Sequence, residues 1–338
     1  MRATLLTALF LVLVLAACST SNSELVATPT PGNSPEPTST PEPENTPTPA
    51  PTVDEATAAG FLFDIRSKPS GMKDPYGVAV NSQGLIYVSD AGASRVLVFD
   101  REGELVSKWD AHGSATGQFK SLGFGGLAID ANDNVFVVDN GNHRIQKFDA
   151  DGNFLVQWGS EGREEGQFIR AIGITVDRDG NVYVTDDGNA YVQKFDNNGT
   201  FIMRFGGGGS DDGQFRHATG IAVDGDGNIF VADYELKRVQ KFDASGTYIR
   251  QWRMGTDIGA RGIPEAIAID SVGNVYVSDY ALGRIQIFDT DGNFLRAISS
   301  QSVGAAFFKR PTGLAFDAGR RLYVVNQSGG KVSVFQLP

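Results

Sequence analysis

A single cysteine, three histidines and a deficit of positive charge bound what this 338-residue chain can be. With Cys18 alone, no internal disulfide can form in any compartment. The apolar run Leu5 to Ala17 is about a dozen residues, too short to span a bilayer comfortably. The formal net charge is −11. The first 59 residues hold one basic and six acidic side chains, which leaves 28 and 34 in the remainder, net −6. So acidic a body is a poor binder of phosphate backbones, and no nucleic-acid partner is expected. Proline is scarce outside one stretch: nine of the 14 lie between Pro29 and Pro51.

These features divide the chain. Met1 and Arg2 followed by the short apolar run fit a signal peptide over residues 1–17. It ends in Leu15-Ala16-Ala17-Cys18, which resembles the bacterial lipoprotein box. That resemblance implies lipidation of Cys18 and anchoring at the extracytoplasmic face of the cell membrane. Residues 18–59 interleave proline with Thr, Ser, Asn and Glu and can form no apolar face, so a disordered stalk leaning to polyproline II is expected. Fully extended at ~3.1 Å per residue, it reaches roughly 120 Å.

Residues 60–338 are made of one repeated unit. In Gly126 to Trp158, strands are expected over Leu127–Asp130, Val135–Val138, Arg144–Phe148 and Phe154–Trp158. Val, Ile and Phe fill them, while Asp, Asn and Gly fill the turns between, as an antiparallel meander requires. The Asp that ends the second strand recurs as Asp90, Asp139, Asp186, Asp233 and Asp279, with Asn326 in the last register. A four-stranded sheet cannot bury both faces alone, so the copies must stack. A period near 45 residues points to the blades of a propeller. The last copy lacks a fourth strand, and Phe61 to Arg66 is expected to supply it. The fold class is therefore all-β: a six-bladed β-propeller of four-stranded antiparallel blades, closed by its N-terminal strand and expected to be a monomer.

The segments NGNHRIQKFDADGNFLVQWG and EEGQF…GITVDRDGNVYVTD resemble the NHL-repeat family almost word for word. The resemblance covers roughly residues 61–338 and implies a β-propeller, usually of six blades. It also implies candidate activities: the family includes an amidating lyase with a zinc held by several histidines, and streptogramin lyase and lactonase propellers are related in shape. Here His143 belongs to the repeat itself, whereas His112 and His217 lie in separate loops and give at most two ligands, with Asp74 as a third. No metal, cofactor or catalytic residue is assigned.

Several repeated features read as structural. The Asp/Arg pairs Asp90/Arg95, Asp139/Arg144, Asp233/Arg238 and Asp279/Arg284 share one spacing and should tie loops together. Tyr191, and Asn326 with Lys331, break that pattern. The turns at Asp177 and Asp224 resemble the opening of a calcium loop but lack its distant Glu, so they read as hairpin turns. Gly206 to Gly209 lacks a phosphate-loop ending and reads as a flexible interblade loop.

Function is expected where the repeat fails to repeat. The loops leading into the first strands place Asp74, Gly123, Arg170, His217, Ile263 and Arg310 at one equivalent position, and Tyr234 and Tyr280 stand unpatterned on neighbouring loops. The expected ligand-binding set is Arg170, His217, Tyr234, Tyr280 and Arg310, forming a positive spot for an anionic group. The expected partner is a protein, a peptide or a cell-wall glycan bound without catalysis, with a lyase or lactonase as the alternative.

Overall fold

A computed structural model describes residues 60–255, 262–299 and 308–338. The signal peptide, Cys18 and the stalk lie outside the described residues.

Six four-stranded antiparallel sheets are arranged around a channel. Blade two shows the pattern: Leu127–Ile129, Val135–Asp139, Arg144–Phe148 and Phe154–Trp158, running outward from the channel. Blades one, three, four and five span residues 75–109, 171–206, 218–253 and 264–298. Blade six joins Pro311–Phe316, Arg321–Asn326 and Lys331–Gln336 to the N-terminal strand Gly60–Arg66. That strand pairs antiparallel with Lys331–Gln336, from Gly60↔Gln336 to Arg66↔Lys331, as the missing fourth strand demanded.

Stacking is what gives each blade its core. The six apolar clusters each draw side chains from two adjacent blades: Val96 and Val98 of blade one, for example, with Val135 and Val137 of blade two. Ile65 and Val332 of blade six meet Val78 and Val88 of blade one, which closes the ring. Second strands are buried on both faces, as in Val135–Asp139, while fourth strands alternate half-buried and exposed residues, as in Phe154–Trp158. The slim residues of the first strands are required sterically. A Cβ on Gly173 would strike the Thr219 carbonyl, and one on Gly220 would strike the Glu265 carbonyl, each on the next blade's first strand.

The repeated Asp holds the loops. Asp139 is fully buried and accepts from Arg144 Nε at 2.9 Å, Asn142 Nδ2 at 2.7 Å and the Lys120 amide at 3.2 Å. Arg144 in turn donates to the carbonyls of Ser114, Ala115 and Gln118. The Asp/Arg pairs are thus structural ties. The two departures are accommodated locally. Lys331 pairs with Asp64 of the closing strand at 2.9 Å, and Asn326 Nδ2 donates to Ser333. In blade three, Arg204 lies 4.9 Å over the Tyr191 ring.

The turns at Asp177 and Asp224 are hairpin turns. Each carboxylate accepts from the amides two and four residues on and from an Asn side chain. Gly206 to Gly209 runs between blades three and four, pinned where the Gly209 amide donates to the Phe215 carbonyl at 3.0 Å.

Candidate functional site

One mouth of the channel is built from three stacked registers of the repeat. The repeated Asp fixes the leading loops: Asp186 Oδ1 accepts from the Arg170 amide at 2.9 Å, and Asp233 Oδ1 from the His217 amide at 3.3 Å. Each leading loop is then bonded to the residue after its Asp, because the amides of Asp187, Tyr234 and Tyr280 donate to the carbonyls of Arg170, His217 and Ile263, each at 2.9 Å. The third register is the residue just before the slim position: Tyr76, Gly125, Ile172, Thr219, Glu265 and Thr312.

These registers enclose a recess of about 300 Å³. Arg170, His217, Tyr234 and Tyr280 line it, together with Tyr76, Phe124, Ile172, Thr219, Glu265 and Gln327. Four of the five expected residues therefore share one hollow. Arg310 is not part of its lining; its guanidinium lies over the Tyr280 ring at 5.6 Å. His217, Tyr234, Tyr280 and Arg310 form one continuous train, with ring centroids 6.0 and 5.7 Å apart. On another part of the wall Phe124 meets Tyr76 edge to face at 5.5 Å. His112 is exposed, and His143 bonds the Ile169 carbonyl at 3.1 Å. Among the described residues no three His, Cys, Asp or Glu side chains group as a metal site would need.

The electrostatics differ from a simple positive spot. Arg170 is ion-paired to Asp187, whose side chain is fully buried, and Arg170 Nη2 also lies 3.2 Å from His217 Nε2. His217 Nδ1 stands 3.6 Å from the other Asp187 oxygen. The Arg170 fork is thus not open for a bidentate anion, and its charge is matched. Burial pushes the Asp187 carboxyl up, against the pull of Arg170 and His217.

Glu265 adds a second carboxyl. Burial pushes it up to about 7, Tyr76 opposes this by donating a hydrogen bond, and Asp187 adds to it. The Tyr76 hydroxyl reaches Glu265 Oε1 from the first strand of blade one to that of blade five, past blade six. This bond joins the two blades in the wall of the recess. Burial, then Glu265, hold the Tyr76 hydroxyl well above its usual range.

Polar atoms in the recess are incompletely satisfied. Arg170 Nε, Thr219 Oγ1 and Asp187 Oδ1 are buried without a hydrogen-bond partner among the described residues. Unpaired buried polar atoms are costly, and two of these belong to residues that line the recess, Arg170 and Thr219. Arg170 and His217 stand out in the sequence because their register does not repeat. The same signal was present one residue before each slim position, in Glu265 and Thr219, and one residue after each repeated Asp, in Asp187.

Six four-stranded blades around a channel make a six-bladed β-propeller. The NHL repeat model matches residues 73–99, 125–148 and 215–242, so the chain carries NHL repeats. No curated protein sequence matches the chain. Among solved structures, a gluconolactonase from Xanthomonas campestris superposes with TM-score 0.62 at 18% identity, covering 86% of this chain and 98% of that one. A catalytically inactive virginiamycin B lyase from Staphylococcus aureus with quinupristin gives 0.57 at 14%, covering 80% and 84%. The calcium-binding protein regucalcin from Agrobacterium tumefaciens gives 0.59 at 14%, covering 83% and 96%. Identities this low show a shared fold.

Proposed function

We propose that this protein is a binding head, tethered through Cys18, whose recess at one channel mouth takes a small polar ligand or the end of a larger one. The observation that carries the reading is the pair Arg170 Nε and Thr219 Oγ1, buried and unpartnered in a hollow walled by aromatic rings. Ligand sites are concave, mostly apolar and furnished with a few convergent polar groups. The opposite rim carries the repeated turns, in which Asp177, Asp224 and Asp289 accept from the amides of their own turns. Screening the full chain against glycan and peptide arrays should yield a ligand whose binding is lost in Tyr234→Ala/Tyr280→Ala. Substitutions at Asp179, Asp226 and Asp291 should leave it intact; the opposite pattern would move the site to the other face. Tethering is tested separately: Cys18→Ser should leave the membrane fraction or accumulate as precursor.

A second reading, catalysis of the lyase or lactonase type, is favoured by one observation: Glu265 is buried beside the recess with a carboxyl poised to exchange a proton near neutrality. Its test is turnover of the bound ligand. Product formed by the parent chain but not by Glu265→Gln supports catalysis, and ligand recovered unchanged supports binding alone.

A further inference from the structure

The hollow at the channel mouth combines mixed hydrogen-bonding groups, matched charge and aromatic walls. Building on the proposal that it binds a ligand, we infer that the recess recognises one uncharged sugar residue, its ring face against the tyrosine wall and its hydroxyls on Thr219, Arg170 and Glu265.

The polar atoms left unpaired are of mixed kind. Of the residues lining the recess, Arg170 carries Nε, which only donates, and Thr219 carries Oγ1, which donates and accepts. A carboxylate or phosphate ligand offers acceptors alone, and an ammonium offers donors alone. A hydroxyl both gives and takes a hydrogen bond, so a group of neighbouring hydroxyls suits a mixed set. Glu265, which lines the same hollow, is a further acceptor whenever it is ionised.

Charge gives the same answer. The Arg170 cation is already matched by Asp187. A ligand anion would meet the Glu265 carboxyl in the recess wall, and a ligand cation would meet Arg310, which lies over the Tyr280 ring. Any full charge on the ligand is opposed from one side, and an uncharged ligand is opposed from neither.

The wall supplies the apolar half. Tyr234 and Tyr280 meet at 66°, a wall with both flat and edge surfaces. Phe124 stands in the left-handed backbone region (φ 62°) and is 52% exposed, resting on Tyr76. A large apolar side chain held exposed in a strained conformation is unusual away from a functional site. A pyranose has C–H groups on its faces and hydroxyls at its edge, which matches aromatic walls around a polar end.

Size limits the length of the ligand. About 300 Å³ is the small end of ligand sites, roughly 300–1,000 Å³. The Tyr76–Glu265 bond joins two blades in the wall of the recess and narrows the channel there. A single residue, free or at the end of a chain, fits such a hollow better than the interior of a polymer.

The test is calorimetric titration of the full chain with glucose and N-acetylglucosamine, beside glucuronic acid, glucosamine and a tyrosine-containing peptide. A neutral sugar should bind at least about ten-fold more tightly than glucuronic acid or glucosamine, a difference of roughly 1.4 kcal/mol. Tyr280→Ala and Thr219→Val should each weaken that binding about ten-fold with the melting temperature little changed. Preference for the acid or the amine overturns the inference. If only the peptide binds, and Tyr280→Ala abolishes it, the binding head stands and the sugar assignment falls. If nothing binds, or the two variants bind as the parent does, the recess is not the site and both readings fall.

Discussion

Glu265 occupies a position that other blades fill with Tyr76, Gly125, Ile172, Thr219 and Thr312, and its burial has a measurable consequence. Its carboxyl rises from an ordinary 4.5 to about 7 in the folded chain, with burial the largest cause. Between those values the folded chain holds a proton that the unfolded chain has released. Glu265 therefore favours folding fully below about pH 4.5, and that contribution is lost as pH rises through 7. Replacing Glu265 with Gln keeps an acceptor for Tyr76 and removes the titration. At pH 8 the variant should melt several degrees above the parent, a gain of about 1–3 kcal/mol, and near pH 4.5 the two should coincide. Thermal melts across that window decide it; parallel curves would mean that Glu265 does not titrate there. Arg170, His217, Tyr234 and Tyr280 were legible in the sequence because each departs from the pattern of its register. The pairing of Arg170 with Asp187 was not, since it depends on two loops lying side by side, and that pairing removed the expected positive spot.

At the scale of single elements, the turns closing third strands do more than reverse the chain. Gly152, Gly199 and Gly292 take φ of 90°, 89° and 82°, and each lies against a tryptophan of the preceding blade: Trp109, Trp158 and Trp252. A Cβ on Gly199 would drive into the Trp158 ring while forcing an alanine into left-handed backbone. Gly199→Ala should thus cost about 1–3 kcal/mol, from strain and displaced packing together, read as a lower urea midpoint at unchanged slope. Loss below about 0.5 kcal/mol would show that the indole yields freely. The strands were readable almost to the residue, because Val, Ile and Phe runs are separated by an Asp-x-x-Gly turn in each of the five complete copies. Which indole sits on which turn was not readable, since it depends on how blades rotate against one another.

For the whole molecule, closure by Gly60–Arg66 was implied by a blade short of one strand at one end and a spare strand at the other. Asp64 binds it to the last blade, taking Lys331 at 2.9 Å and Ser333 at 2.7 Å. Asp64→Ala leaves both donors without that acceptor and should lower stability by about 1–2 kcal/mol. Deleting residues 60–67 should do more, opening the third strand of blade six as an edge and promoting aggregation. A deletion variant that melts like the parent would place closure elsewhere.

The direction of that pairing also sets how the ring answers a pull. Gly60 lies opposite Gln336, so a load on the chain at Gly60 meets the first rung of the ladder before the others. The rungs can then open in turn, Phe61 from Phe335 and onward to the Asp64–Lys331 latch, instead of shearing together. Antiparallel strands loaded in this way peel at lower force than strands loaded along their length. Heat must loosen six shared cores to open the ring, whereas tension at this point needs to lift only one strand.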